Sequence, residues 1–306
     1  FSRVNVSLDW YTRTTKDLLM SKQLNSISGF SSLLTNVGQM RNTGVELEVR
    51  SNNIKTKDFS WTTAFNLSHN KNKILKLADL PWFVDGRYVR KEGYPFNTIY
   101  LREYAGVDPE TGSALYYDNQ QDENGNYIKN KVTDPGQASP IPLKDITPTI
   151  SGGFMNTFNY KFIDLSFNLS YSFGGYSYDN ASYILQDDGY SVISNKSTEQ
   201  RRRWQKPGDI TDVPRFVYGN KKGGNYNSSR AIHSTDHIRL KSLILGLNAP
   251  KAWLQKLGIG NARIYFSGTN LLTWAAYGQY DPEMSGVVGF YTPPLKTYAF
   301  GLELKF

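Results

Sequence analysis

The sequence predicts an all-β chain whose strands form part of a transmembrane antiparallel β-barrel. Three observations predict this. Apolar and polar residues alternate with period two in several segments, those segments run to about 10–13 residues, and the connections between them are alternately long and short. Alternation of period two gives a strand two unlike faces. Strands of soluble proteins average roughly 5–6 residues, whereas a tilted spanning strand needs roughly 9–11. Sorting all long connections to one end of a sheet has no purpose in a soluble sandwich. It is the habit of outer-membrane barrels, which have short turns on one side and long loops on the other.

The first strand, about 2–12, sets Val4, Val6, Leu8 and Trp10 against Arg3, Asn5, Ser7 and Asp9. The second, about 43–51, sets Val45, Leu47 and Val49 against Glu46, Glu48 and Arg50. The third, about 58–69, carries Phe59, Trp61, Thr63, Phe65 and Leu67 on one parity. A weaker set, Ile150, Gly152, Phe154, Asn156, Phe158 and Tyr160, marks the fourth at about 149–160. The fifth, about 162–174, is the cleanest: Ile163, Leu165, Phe167, Leu169, Tyr171 and Phe173 alternate with Asp164, Ser166, Asn168, Ser170 and Ser172. The sixth, about 236–248, changes phase, because Ile238 and Leu240 have one parity and Leu243, Leu245 and Leu247 the other. One inserted residue does this, so a β-bulge is expected near Lys241–Ser242, the alternative being a strand end. Ile264 and Phe266 mark the seventh, about 261–272, and Tyr298, Phe300, Leu302, Leu304 and Phe306 the eighth, about 296–306. A terminal aromatic closing an alternating strand resembles the assembly signal of bacterial outer-membrane barrels. The alternative is an ordinary last strand that ends in Phe.

The long connections are then about 13–42, 70–148, 175–235 and 273–295, and the short ones 52–57, near 161, and 249–260. Pro250–Leu257 reads as a short helical turn, with Trp253 placed for a membrane interface. Alternation alone does not say which face meets lipid and which meets water.

Composition excludes several classes. Mean hydropathy is −0.50 with 39% apolar residues, which does not fit a helical membrane protein. The longest strongly apolar stretch, Leu243-Ile244-Leu245-Gly246-Leu247, is far short of the roughly 18–20 residues of a spanning helix. Aromatic residues make up 14%, too much for a solvated coil. The absence of Cys removes disulfide scaffolds, thiolate zinc sites and thiol catalysis. The net charge of +8 is scattered, and the one dense run, Arg201-Arg202-Arg203, reads as a solvated loop, so no nucleic-acid partner is expected. Phe1 is not a Met and a strand begins at once, so the chain reads as a piece of something longer.

Motifs for catalysis or metal binding do not complete. Asp122-Glu123-Asn124-Gly125-Asn126 starts like a calcium loop, but the register puts Gln120 and Lys131 where acidic ligands belong, so a turn is expected. Gly258-Ile259-Gly260-Asn261-Ala262-Arg263 has Arg263 in place of the third Gly of a dinucleotide fingerprint and precedes a strand. His233 and His237 on one strand face would stand roughly 13 Å apart at roughly 3.3 Å per residue, too far to share a metal. His69 is expected at an outer strand end. No nucleophile elbow occurs. The expectation is therefore no enzyme, no cofactor and no metal.

Several segments, in order, resemble the SusC/RagA-type TonB-dependent outer-membrane transporters of Bacteroidetes. They are Asn36-Val37-Gly38-Gln39-Met40-Arg41-Asn42-Thr43-Gly44-Val45-Glu46-Leu47, Phe59-Ser60-Trp61 through His69-Asn70-Lys71-Asn72-Lys73-Ile74, Glu92-Gly93-Tyr94-Pro95, and Tyr104-Ala105-Gly106-Val107-Asp108-Pro109-Glu110-Thr111-Gly112. Further along come Arg203-Trp204 with Pro207-Gly208-Asp209, Ile238-Arg239-Leu240-Lys241, Ser267-Gly268-Thr269-Asn270-Leu271-Leu272, Tyr280-Asp281-Pro282-Glu283, and Phe300-Gly301-Leu302-Glu303-Leu304-Lys305-Phe306. The resemblance implies a barrel of about 22 strands with an N-terminal plug. Residues 1–306 would supply the last eight strands, without the plug, the TonB-contacting segment or the remaining strands. It implies location in the outer membrane, in contact with its lipid, and import of an oligosaccharide or a peptide. A SusD-like surface lipoprotein would cover the mouth, and TonB would energise transport through the N-terminal part. Glu46, Glu48, Arg50, Asp164, Glu303 and Lys305 would face the lumen, and Tyr298, Phe300, Leu302, Leu304 and Phe306 would form the assembly signal. Long loops are uncommon unless functional or disordered, and these are rich in aromatics, whose flat faces suit sugar rings or peptide side chains. Trp82, Tyr94, Tyr104, Tyr117 and Tyr178 are the candidate ligand contacts; the alternative is that they pack the loops together. The rival reading of the whole chain is a soluble or surface β-rich glycan-binding module.

Overall fold

The computed structural model describes residues 3–24, 26–30, 32–36, 38–77, 81–220, 227–256 and 258–306. Ser2 at the expected start of the first strand, Val37 of the quoted motif and Leu257 at the end of the expected helical turn lie outside the described residues. Eight strands form one sheet: β1 (Val4–Thr15), β2 (Gly38–Lys55), β3 (Phe59–Leu77), β4 (Ile150–Tyr160), β5 (Ile163–Phe173), β6 (His237–Asn248), β7 (Asn261–Ala275) and β8 (Thr297–Lys305). Each pairs antiparallel with its neighbour in chain order, and β1 and β8 form the two edges. This is the up-and-down order of a barrel wall. Among the described residues, no helix is long and apolar enough to cross a membrane.

The eight expected strands are all present. β2 and β3 run farther than expected, to 18 and 19 residues. Their added ends, Gly38–Asn42 and Asn70–Leu77, carry polar residues on both faces, so alternation does not mark them. His69 therefore sits inside β3, opposite Val45 and Ile150, and not at a strand end as expected. The stop expected there rested on the loss of alternation, but the ladder continues to Leu77 opposite Gly38.

The register sorts the two faces. Leu8, Leu47, Leu67, Gly152, Tyr171, Ile238 and Trp274 stand opposite one another in one row across seven strands. On this face β1 exposes Val4, Val6, Leu8 and Trp10, and β8 exposes Tyr298, Phe300, Leu302 and Leu304, the latter group by 47–82%. The opposite face holds Glu46, Glu48, Arg50, Asp164, Glu303 and Lys305. There Arg263 gathers Asp164 (2.7 Å) and Glu303 (3.3 Å), and Asn248 donates to Asp164 at 2.9 Å. Tyr11 covers Gly44 so closely that a Cβ would stand 2.5 Å from its ring.

The phase change in β6 is a bulge at Lys241. Leu240 faces Leu169 while Ser242 faces Asn168, leaving Lys241 as the extra residue. β7 answers with its own irregularity, pairing Leu272 with Leu240 and Thr269 with Ser242. Asn270, between them, has φ of +53°, a left-handed conformation that Asn tolerates better than most residues. The insertion lets Leu243, Leu245 and Leu247 face outward below it while Arg239 and His237 face inward above it.

Among the described residues, the buried apolar clusters lie in the long connections and at the upper end of β3, not between the lower parts of the wall strands. Ile99, Leu101, Tyr178 and Ala231 form one cluster, Ala114, Tyr116 and Ala138 a second, and Ile74 and Leu77 at the top of β3 a third. The connections thus fold as a layer of small sheets, with strands such as Tyr88–Lys91, Thr98–Leu101 and Ile141–Asp145. At the other end lies α1 (Lys251–Lys256), within the expected helical turn, with Trp253 exposed and Leu254 buried. Asp122 accepts from the backbone N–H groups of Asn124 and Asn126 and closes a hairpin, as expected of a turn.

Candidate ligand site in the loop layer

The long connections are tied into one layer. Tyr176–Asp179 pairs in parallel with Gly286–Val288. Tyr104 Oη donates to the carbonyl of Asp212 (2.9 Å), and Trp204 Nε1 to that of Pro109 (2.8 Å). Buried ion pairs hold the interior: Lys196 to Asp187 at 2.7 Å, and Arg230 to a fully buried Asp188 at 2.5 Å. Arg201, Arg202 and Arg203 lie exposed around a short 3-10 turn, where Arg202 meets Glu199 (2.6 Å) and Asp212 (3.3 Å).

Ion pairs also anchor this layer to the wall. Arg239, only 2% exposed, reaches inward from β6 to Asp281 (2.6 Å) and Glu283 (2.8 Å), and its Nε donates to Thr273 (3.0 Å). Lys241 adds a contact to Glu283 at 2.6 Å. The segments Ile238-Arg239-Leu240-Lys241 and Tyr280-Asp281-Pro282-Glu283, about forty residues apart in sequence, are therefore two halves of one contact. It fixes the connection between β7 and β8 against the inner face of the wall.

The five candidate aromatics do not converge. Trp82 is 45% exposed and tilts against Tyr100, ring centroids 6.0 Å apart. The two line a cleft of about 380 Å³ with Tyr127, Asn119, Gln120 and Gln121. Asn119 is 3% exposed, its Nδ2 donates to the Ser139 carbonyl at 3.3 Å, and its Oδ1 has no partner. Tyr94 has the Lys91 ammonium 5.0 Å from its ring centre, and Tyr117 has that of Lys129 at 5.1 Å. Tyr104 packs edge-on against Tyr116, and Tyr178 is 1% exposed, donates to Asn227 at 2.7 Å and lies under the Arg87 guanidinium. Burial pushes the phenols of Tyr104 and Tyr178 well up from their ordinary value. Tyr178 therefore offers no open face to a ligand here. Its place in the loop core comes from neighbours distant in sequence.

Sequence reasoning missed a second cleft, of about 590 Å³, where the β7–β8 connection faces the inner wall. Phe290 and Tyr291, 68% and 64% exposed, stand at its edge, and Arg239 and Asp281 lie in its lining. Aromatic density in the longer connections drew attention from these two residues, which stand alone near Pro293 and Pro294.

No family model matches the chain. Known proteins do. The chain is 33% identical over its whole length to TonB-dependent receptor P3 of Formosa agariphila, covering 32% of that protein. It is 27% identical, over 99% of its length, to TonB-dependent receptor SusC of Bacteroides thetaiotaomicron, covering 30% of it. The chain thus spans about a third of the length of these curated relatives. A solved structure of the RagAB peptide transporter superposes with a TM-score of 0.88 at 31% identity, over 99% of this chain and 34% of the other. The "open-open" state of the RagAB peptide importer superposes with a TM-score of 0.83. These relatives are described as receptors and transporters, not as enzymes. By ordered motifs, by sequence identity and by the eight-stranded wall, the chain is similar to the C-terminal part of the barrel of SusC/RagA-type TonB-dependent receptors.

Proposed function

We propose that residues 1–306 form part of the barrel wall and of the extracellular loop layer of an outer-membrane transporter that imports a nutrient, an oligosaccharide or a peptide. The remaining wall and the plug belong to the rest of the protein. A SusD-like surface lipoprotein works at the mouth, and TonB energises import through the N-terminal part. The observation that carries this reading is the inverted wall: its uncovered face is apolar and its inner face ionic, the polarity of a sheet between lipid and a watery lumen. In this orientation 70–148 and 175–235 lie outside the cell, and 52–57 and 249–260 in the periplasm.

Trp82, Tyr94 and Tyr117 remain candidate ligand contacts, with Trp82 first because its ring lines an open cleft. The test is uptake by cells that carry the complete protein, with and without a working TonB, on neutral oligosaccharides and on casein peptides. The expected result is TonB-dependent accumulation of one class. Accumulation that is the same without TonB, or turnover of substrate by the purified protein alone, would contradict the reading. An aromatic contact is worth about 0.5–1.5 kcal/mol beyond its area, so Trp82→Ala should weaken binding about three- to tenfold.

A further inference from the structure

The short connections join into one rim at the lower end of the wall. The N–H of Lys161 donates to the carbonyl of Asp58, that of Asn248 to Phe162 and that of Ala249 to Ala262, each at 2.8 Å. The turns 56–58 and 161–162 and α1 thus stand side by side. Their charge has almost one sign. Residues 52–58, 161–162 and 249–260 hold Lys55, Lys57, Lys161, Lys251 and Lys256 against a single acid, Asp58. The two longest connections mix the signs instead, ten cations with eleven acids over 70–148 and nine with six over 175–235. Lys55, Lys57 and Lys161 are exposed and have no acidic partner among the described residues. Lys161 also holds a costly backbone conformation. It is the first residue of the two-residue turn between β4 and β5 and has φ of +52°, where a hairpin favours Gly or Asn. Packing gives no reason for a lysine there, because its side chain is exposed.

Exposed aromatics border these lysines: Tyr160, Phe162 and Trp253. The Lys161 ammonium lies 5.5 Å from the Tyr160 ring centre. Tyr160 in turn packs edge-on against Phe59, at the foot of the apolar face. Rings with a cation beside them, placed where an apolar surface ends, fit the boundary between acyl chains and headgroups. A protein in the water would meet the lysines and leave the adjoining apolar row bare, whereas a lipid meets both. The charge selects the headgroup. A zwitterionic headgroup brings an ammonium with every phosphate, and a rim of lysines with one acid has little to pair with that ammonium. An anionic headgroup brings the phosphate alone. We propose that this rim docks anionic glycerophospholipids of the leaflet that faces the periplasm, with Lys57 and Lys161 at their phosphates. The proposal takes its orientation from the transport reading above and is otherwise independent of it.

The experiment uses the complete transporter, cleared of any cysteine elsewhere, with Ala252→Cys carrying a fluorophore at an exposed position of α1. It is placed in phosphatidylcholine bilayers that contain the same fraction of either brominated phosphatidylglycerol or brominated phosphatidylcholine. At low salt the anionic lipid should quench the label as though enriched about fivefold at the rim, the effect of about one lysine near a headgroup. Added salt should erode the enrichment. Lys57→Gln together with Lys161→Gln should cut it to roughly half or less, and adding Lys251→Gln and Lys256→Gln should remove it. Lys161→Arg, which keeps the charge, should retain it. All are compared at matched amounts of heat-modifiable, folded barrel. Equal quenching by the two lipids in the parent protein, or a preference that the Gln variants keep, would overturn the proposal. Quenching by neither lipid would put protein or water at the rim and overturn it too. These results leave import standing, since TonB-dependent uptake is measured separately on the same strains. Reaction of the Ala252→Cys thiol in intact cells with a reagent that does not cross the outer membrane would place the rim outside and overturn the leaflet assignment.

Discussion

His233 shows how a single side chain in the loop layer couples to its surroundings. Its ring stacks on Tyr277 at 3.7 Å, nearly parallel, and its Nε2 is buried without a hydrogen-bond partner. Burial holds its pKa below the ordinary value, although the nearby Asp179 carboxylate opposes the shift. The folded loop thus binds the proton less readily than the unfolded one. The stability of the neutral ring is complete above the unfolded pKa of about 6.5 and is lost as pH falls from there toward the lower folded value. Residues 175–235 should become more sensitive to a protease active across this range as pH falls below about 6.5. His233→Phe keeps an aromatic ring on Tyr277 and removes the titration, so its loop should lose this part of the response. An unchanged response in the variant would assign the acid sensitivity elsewhere. The sequence displayed His233 but not its burial, which is set by Tyr277 and Asp179 from distant segments. Tyr104, Tyr117 and Tyr178 teach the same lesson. An aromatic in a long loop is equally visible whether it faces ligand or packs the interior, and only contacts across the chain decide.

At the scale of the element, legibility follows the contrast between environments. Where one face is apolar and the other polar, as in β5, period-two alternation marks the strand along its length. Where both faces are polar, as at residues 70–73, the ladder continues with no alternation in the residues to mark it. The bulge at Lys241 was legible because it inverts the parity of Leu240 and Leu243, while the answering turn at Asn270 left no parity break to read. Deleting Lys241 should force a choice between Arg239 facing lipid and Leu243–Leu247 facing water. A charged residue on the lipid face costs about 2–4 kcal/mol at mid-bilayer and less near the interface. The deletion should therefore lower the yield of heat-modifiable barrel in the complete protein, while Lys241→Ala, which keeps the spacing, retains it. Equal yields from both variants would show that the inserted residue is not what sets the faces. For β8, we propose that Tyr298, Phe300, Leu302, Leu304 and Phe306 act as the assembly signal, all outward and exposed. Removal of Phe306 should reduce folded protein in the outer membrane without reducing synthesis. Unchanged abundance would make β8 an ordinary closing strand.

For the molecule as a whole, the central claim is that the apolar face of the sheet meets lipid. Stability is divided accordingly. On that claim the wall relies on backbone ladders and on lipid, while among the described residues the buried apolar clusters lie in the loop layer and at the upper end of β3. A soluble β-rich module would instead cover this face with protein. The chain contains no Cys, so single cysteines can report the environment of each position along β8. In the complete protein, cleared of any cysteine elsewhere and placed in bilayers, positions 298 to 304 are labelled one at a time with an environment-sensitive fluorophore. Each is then exposed to a lipid-borne quencher and to a water-borne one. Labels replacing Tyr298, Phe300, Leu302 and Leu304 should be quenched from the lipid, and those replacing Ala299, Gly301 and Glu303 from water, with strict period two. Lipid quenching that shows no alternation, or an apolar set shielded from both quenchers, would contradict the account.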